Sequence, residues 1–249
     1  MTETGDLPGR FPVVRSAGVD GLLVSFADGL SEPANRAALA FRGALEAQDW
    51  DGMEETSSSL VSAYLRFDPL RVSHETISGQ VRALLAAQDW YAAQLPGRRR
   101  FWRIPTVFGT ALAPQLAQAA AAAGMSETQA IASLSTARVR VQTIGFAPGQ
   151  PYLGELPAAW DIPRQSQLTE RIPEGALAVA IRQLVLFSVT TPTGWQHVGQ
   201  TAIRLFQPEA AEPFLLRAGD EVQFVPIGPE ALETLRRDPR GGATCETAG

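Results

Sequence analysis

One cysteine, two histidines, and no apolar run approaching the roughly 20 residues that cross a bilayer mark this 249-residue chain. The lone thiol, Cys245, excludes an intrachain disulfide, which fits a reducing compartment. It lies behind Gly241-Gly242-Ala243-Thr244, a stretch expected to be a flexible tail, where no base can be held beside it for nucleophilic work. Met1 to Arg10 carries acidic residues and no apolar core, so no secretory leader is expected. A cytoplasmic location without membrane contact is the resulting expectation. His74 and His197 stand too far apart for metal-ligand spacing, and no metal site is expected. His74 falls in the first turn of a helix and should be exposed. Excess positive charge is missing too: 21 basic against 26 acidic residues leave −5. Nucleic acid is therefore a poor partner. Only Arg98-Arg99-Arg100 clusters, which reads as a solvated edge before a strand in preference to a phosphate site. There is no G-x-x-x-x-G-K-[ST], no strand-linked G-x-G-x-x-G and no G-x-S-x-G, so neither a phosphate loop nor a serine elbow is visible.

What is present is globular: 45% hydrophobic and 19% charged residues, enough to bury a core. Two rhythms divide the chain. Up to about residue 140, strands alternate with helices. Gly21 to Phe26, Leu60 to Phe67 and Phe101 to Val107 read as strands. Ser31 caps a helix to about Gln48, Ser73 one to about Trp90, and an alanine-rich helix runs from Pro114 to Ala123. Ser126 and Gln129 have capping-box spacing for another. From 141 to 228 the helical period disappears. Ala176 to Ile181, Leu184 to Val189, Thr201 to Phe206 and Val222 to Val225 read as short strands of a barrel or sandwich. A short helix, Glu230 to Arg236, and the tail complete residues 229–249. The expected fold class is α+β: an N-terminal α/β domain over 11–140, then a β-barrel over 141–228.

Between the rhythms lies Thr143 to Pro157, with three glycines and three prolines. Proline fixes φ and glycine frees it, so a rigid loop is expected there, at the junction of the two domains. Phe146 and Tyr152 should pack it down, and domain junctions are common ligand sites.

The run Gly145-Phe146-Ala147-Pro148-Gly149, then Pro151-Tyr152-Leu153, Leu156-Pro157, Pro163-Arg164 and Ile172-Pro173-Glu174-Gly175 resembles a known family. Gln183, Pro192-Thr193-Gly194-Trp195, Gly199, Thr201, Leu205 to Pro208, Gly219-Asp220 and Phe224 to Ile227 continue it in order. The family is that of the 5-oxoprolinase B subunit, allophanate hydrolase subunit 1 and the KipI-type kinase inhibitors (carboxyltransferase subdomains C and D). The resemblance runs from about Val14 to Ile227. It implies a cyclophilin-like barrel behind an α/β domain. It also implies a composite, ATP-dependent amide hydrolase. Its companion would be of the allophanate hydrolase subunit 2 or 5-oxoprolinase C-subunit type, with a third component of the 5-oxoprolinase A-subunit type. Which component binds ATP is left open. Alternatives within the resemblance are a non-catalytic regulator, such as a histidine-kinase inhibitor, and a urea-carboxylase-like carboxyltransferase component.

Several family positions differ. Gln115 stands where a carboxylate is usual, Leu134 where a histidine is, Gln150 where a phenylalanine is, and Leu184-Val185 where threonine-glycine is. Phe187 replaces a tyrosine, and Leu168-Thr169 a proline-arginine pair. Leucine exchanges no proton, so acid–base work at position 134 is excluded. The remaining substrate-binding candidates are Arg164, Gln183, Tyr152, Trp195 and His197. Arg164 can clamp a carboxylate or bridge barrel loops. Gln183 can face a planar amide or satisfy barrel backbone. Trp195 and Tyr152 can line a pocket or pack, and His197 can serve the site or the structure. Asp220 reads as a turn residue bonding its own backbone.

Overall fold

The computed structural model describes residues 11–95 and 100–247. The leader expectation for Met1 to Arg10, and Arg98-Arg99 of the arginine cluster, lie outside them. By backbone proximity the chain divides into residues 1–97 and 98–249.

The first unit is a four-stranded antiparallel sheet of β1 (Val13–Ser16), β2 (Gly21–Ser25), β3 (Met53–Ser58) and β4 (Ser62–Phe67), in the order β1-β2-β4-β3. Helices α1 (Glu32–Glu46) and α2 (His74–Leu85) pack with it. Both start where their caps predict: Ser31 Oγ accepts from Ala34 N–H and Ser73 Oγ from Thr76 N–H. Leu22, Val24, Phe41, Leu65, Phe67 and Ile77 form its core. Helix α2 ends at Leu85, and Trp90 opens a separate 3₁₀ turn capped by Asp89. The sequence reading leaves out β1 and β3. Both are edge strands, and Met-Glu-Glu-Thr-Ser-Ser carries the charge that edges tolerate. His74 is exposed, as expected, and bonds Ser16 Oγ at 3.0 Å.

The second unit holds the barrel. Its strands are β5 (Arg100–Phe108), β6 (Val139–Ile144), β7 (Pro151–Gly154), β9 (Ala176–Ala180), β10 (Gln183–Leu186), β12 (Gln196–Thr201) and β13 (Glu221–Pro226). They follow the order β12-β9-β10-β7-β6-β13-β5, and β5 closes back onto β12. A ribbon of β8 (Thr169–Ile172) and β11 (Thr191–Thr193) stands beside it, and α5 (Pro229–Leu235) follows β13. Helices α3 (Leu116–Ala122) and α4 (Glu127–Thr136) insert Leu116, Ala119 and Leu134 into the barrel core. The capping box at Ser126 and Gln129 is formed. Strand alternation sorts the side chains. Leu177, Val179, Leu184 and Leu186 point inward, each contributing about 1.5–3 kcal/mol of burial, while Ala176, Ala178, Ala180 and Val185 form a second cluster with Trp195 and Phe187 outside.

The α+β class and the barrel are as expected; four details are not. The division falls at 97/98 rather than 140/141, because β5 pairs in parallel with β13 across a long sequence gap and belongs to the barrel. The Thr143 to Pro157 segment is therefore no domain seam. It is a hairpin within the barrel, with β7 beginning at Pro151, a first strand position that needs no ladder donor. Its loop closes through Gly145 N–H to Gln150 O at 3.0 Å, and Phe146 is 74% exposed instead of packing it down. The strand expected over Thr201 to Phe206 lies earlier, at β12, whose polar residues are buried between β9 and β5. Ile203 and Leu205 still reach the core from irregular chain. Finally, the tail is ordered: β14 (Thr244–Thr247) pairs antiparallel with β5, setting Cys245 opposite Trp102. Thr-Cys-Glu-Thr has no apolar pattern, so the free edge of β5, not its own sequence, defines it. Asp220 does bond its own turn, through Arg217 N–H, and it also holds Arg100 and Trp102.

Candidate functional site

At the end of the barrel where β5 runs out, three loops converge. Gln115 precedes α3. Its Oε1 accepts His197 N–H at 2.6 Å, and its Nε2 donates to Gln165 Oε1 at 2.8 Å and Thr169 Oγ1 at 3.1 Å. Gln165 in turn donates from Nε2 to the Trp195 carbonyl at 2.8 Å, and its backbone N–H reaches Gly194 O at 2.7 Å. This amide relay ties the Asp161–Leu168 loop, the β8 ribbon and the Gly194-Trp195 turn to one another. Neutral amides hold it, where the family resemblance expects a carboxylate at 115.

The aromatic platform beside it is Trp195, buried, with Tyr152 edge-on at 6.2 Å and the Arg164 guanidinium 5.6 Å from its ring centroid. Arg164 is exposed and makes no hydrogen bond or ion pair among the described residues. A guanidinium that lies over an indole and makes no other bond keeps its N–H fork free for a carboxylate. The sequence contains no lysine, so every cationic contact falls to arginine.

Strand register aligns the rest. Tyr152, Val185, Ala178 and His197 are cross-strand neighbours on the outer barrel face. His197 is 5% exposed, and burial pulls its pKa from 6.5 down to about 4, so the imidazole is neutral. The Gly199 backbone and Gln200 side chain oppose that shift. Neither meets hydrogen-bond geometry with Nε2, which is buried without a partner. Gln183 is also buried on this side and donates to Gln142 Oε1 at 2.7 Å. A Cβ on Gly154 would come within 2.8 Å of that same Gln142 oxygen.

Of the five expected residues, the fold brings Arg164 and Tyr152 each against Trp195 and sets His197 in the cross-strand row of Tyr152. Gln183 is near but occupied by Gln142. Sequence reasoning missed Gln142 and Gln165 entirely. Gln165 had one available signal, its place directly after Pro163-Arg164. Among the changed positions, Leu134 and Leu184 are fully buried core, Val185 and Phe187 pack in the outer cluster, and Leu168 is 65% exposed. Gln150 is buried with Oε1 unpartnered. No group of three or more His, Cys, Asp or Glu among the described residues is placed to hold a metal. Nor is any of their helices long and apolar enough to cross a membrane.

These residues sit on a closed barrel with helices in its core, a mixed α/β fold. The chain belongs to the family described as carboxyltransferase domain, subdomain C and D, whose sequence model matches residues 12–216. It is 29% identical over 237 residues to the 5-oxoprolinase B subunit of Bacillus subtilis, covering 90% of this chain and 97% of that one. Over 146 residues it is 40% identical to the 5-oxoprolinase B subunit of Escherichia coli O157:H7, covering 58% of this chain and 67% of the other. Among solved structures, TTHA0988 superposes with a TM-score of 0.70 at 31% identity over 87% of this chain. The chain spans only 41% of that protein's length. The urea amidolyase of Kluyveromyces lactis shares the fold, with a TM-score of 0.71 at 16% identity, over 94% of this chain and 16% of that one.

Proposed function

We propose that this chain is one component of a hetero-oligomeric, ATP-dependent amide hydrolase of the 5-oxoprolinase type, working in the cytoplasm on a site shared with a partner. The observation that carries this reading is the near end-to-end match to a protein named as the B subunit of 5-oxoprolinase. The barrel end adds chemistry that suits a small lactam bearing a carboxylate. Arg164 on Trp195 offers a bidentate anion contact, and the Gln115–Gln165 relay, its amide N–H groups spent within the fold, fixes the loop that carries Arg164. A neutral His197 beside them bonds without adding charge. This chain holds the substrate's polar ends. A companion of the 5-oxoprolinase C-subunit type, with a third component of the A-subunit type, completes the shared, ATP-dependent site.

A second reading, a non-catalytic binding or regulatory protein, is favoured by Leu134, which lies fully buried in the core where the family resemblance expects a histidine.

The test is co-purification with the two companion proteins, followed by ATP-dependent turnover of 5-oxoproline. Arg164→Ala should raise KM about 10- to 100-fold, the loss of a charge-assisted contact. A stable complex that turns over neither 5-oxoproline nor a related cyclic amide rejects the hydrolase reading and leaves the regulatory one.

A further inference from the structure

The opposite end of the barrel carries a cavity of about 450 Å³. β5 starts there and runs nine residues, about 25–30 Å, to the Gln115 end, so the two places are separate. Three pieces of chain build its walls. The first is the start of β5 with β14, where Trp102 and Cys245 face each other across the pair. The second is the loop over residues 204–217, stiffened by the Phe206–Phe214 ring contact at 5.1 Å and by Gln207 N–H to Pro213 O at 2.8 Å. The third is the turn around Pro239, pinned by Asp238, whose carboxylate accepts Arg240 N–H at 2.9 Å and Gly242 N–H at 2.8 Å. Gln207 Nε2 joins the last two by donating to Pro239 O at 3.2 Å.

The charges around this cavity balance, Arg100, Arg217 and Arg240 against Asp220, Glu212 and Asp238, but not every one meets its partner directly. Arg100 is spent on Asp220, to which it donates twice, at 2.8 and 2.5 Å. Asp220 is filled further by Trp102 Nε1 and Arg217 N–H. Glu212 pairs with Arg217 at 3.4 Å. Asp238, the acid nearest Arg240 in sequence, is committed to its own turn. The Arg240 guanidinium therefore lines the cavity with no hydrogen bond or ion pair to it among the described residues. The accessible apolar surface beside it comes from Phe214, which is 47% exposed, and Leu215, while Trp102 is buried behind the Arg100 guanidinium. A guanidinium with no direct partner, next to an exposed aromatic ring, suits an anion with a flat apolar body.

We propose that this cavity is a ligand site for a small aromatic carboxylate, its ring against Phe214 and Leu215 and its carboxylate on Arg240. The inference does not depend on the hydrolase reading, because it uses none of the residues at the Gln115 end.

Cys245 supplies the readout, being the only thiol in the chain and part of the cavity wall. The full-length protein is treated separately with dithiobis(nitrobenzoate), which carries a carboxylate on each ring, and with neutral dithiodipyridine. In each case the Cys245 thiolate attacks one sulfur, a mixed disulfide forms and an aryl thiolate leaves. Burial raises the Cys245 pKa, which slows both reactions alike, so the ratio of the two rates isolates the cavity's preference. The carboxylate reagent should be favoured, and Arg240→Gln should lower the ratio about five- to tenfold, the scale of one partly screened charge. Arg240→Lys should keep part of the preference. Benzoate should protect Cys245 from the neutral reagent in the wild type and not in Arg240→Gln. An unchanged ratio in Arg240→Gln, or no protection by benzoate, overturns the proposal. Stronger protection by phenyl phosphate than by benzoate overturns the carboxylate assignment.

Discussion

Gln115 and His197, 82 positions apart, clasp each other twice: the glutamine side chain accepts the His197 N–H at 2.6 Å, and the Gln115 N–H donates to His197 O at 3.1 Å. One side chain thus finishes the ladder of β12 just beyond the reach of β5 and fixes the entrance to α3. Replacing it by alanine strands the His197 N–H and frees Gln165 and Thr169. Gln115→Ala should cost about 1–3 kcal/mol in urea unfolding. Gln115→Glu keeps the acceptor for His197 and loses the donor to Gln165, so it should fall between the two. An alanine variant as stable as the wild type would show that solvent replaces the clasp.

His197 should make the protein acid-sensitive. Its folded pKa is about 4 against an ordinary 6.5. Between those values the unfolded chain binds a proton that the folded chain refuses. Its stabilising contribution is therefore complete above pH 6.5 and is lost as pH falls toward 4. The whole step is about 3 kcal/mol. His197→Leu removes the titration and fits the apolar row of Ala178 and Val185. The stability difference between variant and wild type, followed by urea unfolding from pH 7 to pH 4, should shift in favour of the leucine by that amount. A parallel pair of pH profiles would mean that the imidazole reaches solvent.

Local chemistry was legible in the sequence where it acts over one turn. Ser31, Ser73 and Ser126 cap the helices they were expected to cap, because each bond spans only three residues. The apolar runs at β9 and β10 read correctly, since both faces of those strands are buried. What failed was set by partners far away in sequence. β5 looked like the third strand of an alternating domain, yet its neighbours are β13, β12 and β14. β14 has no pattern of its own. At the site, the aromatic and arginine members were legible through the family resemblance. Gln142 and Gln165 were not, because a glutamine's role depends wholly on which backbone or amide the fold brings to it.

The Arg100–Asp220 pair predicts a different kind of sensitivity. Asp220 is 6% exposed at its side chain and Arg100 19%, and Trp102 Nε1 also donates to the same carboxylate. Asp220→Ala leaves a largely buried guanidinium uncompensated and should destabilise by about 3 kcal/mol. Adding Arg100→Met removes the stranded charge, so the double variant should recover most of that loss. If the single variant is silent, the pair is held by solvent rather than by burial.

Backbone geometry gives the sharpest contrast, between two glycines with similar torsions. Gly175 has φ +76 and Gly124 φ +69, a region that costs an L side chain about 1 kcal/mol or more. Around Gly124 nothing lies within 4 Å of an added Cβ, whereas at Gly175 it would sit 2.6 Å from Thr201 O. That oxygen cannot swing away, because it belongs to the backbone at the end of β12 and accepts from Gln200 Nε2. Gly175→Ala should therefore lose clearly more thermal stability than Gly124→Ala, about 2 kcal/mol beyond the torsional cost the two share. Melting both alanine variants against the wild type separates torsion from collision. Equal losses would mean that the turn before β9 yields, and that its close approach to β12 is not what demands glycine there.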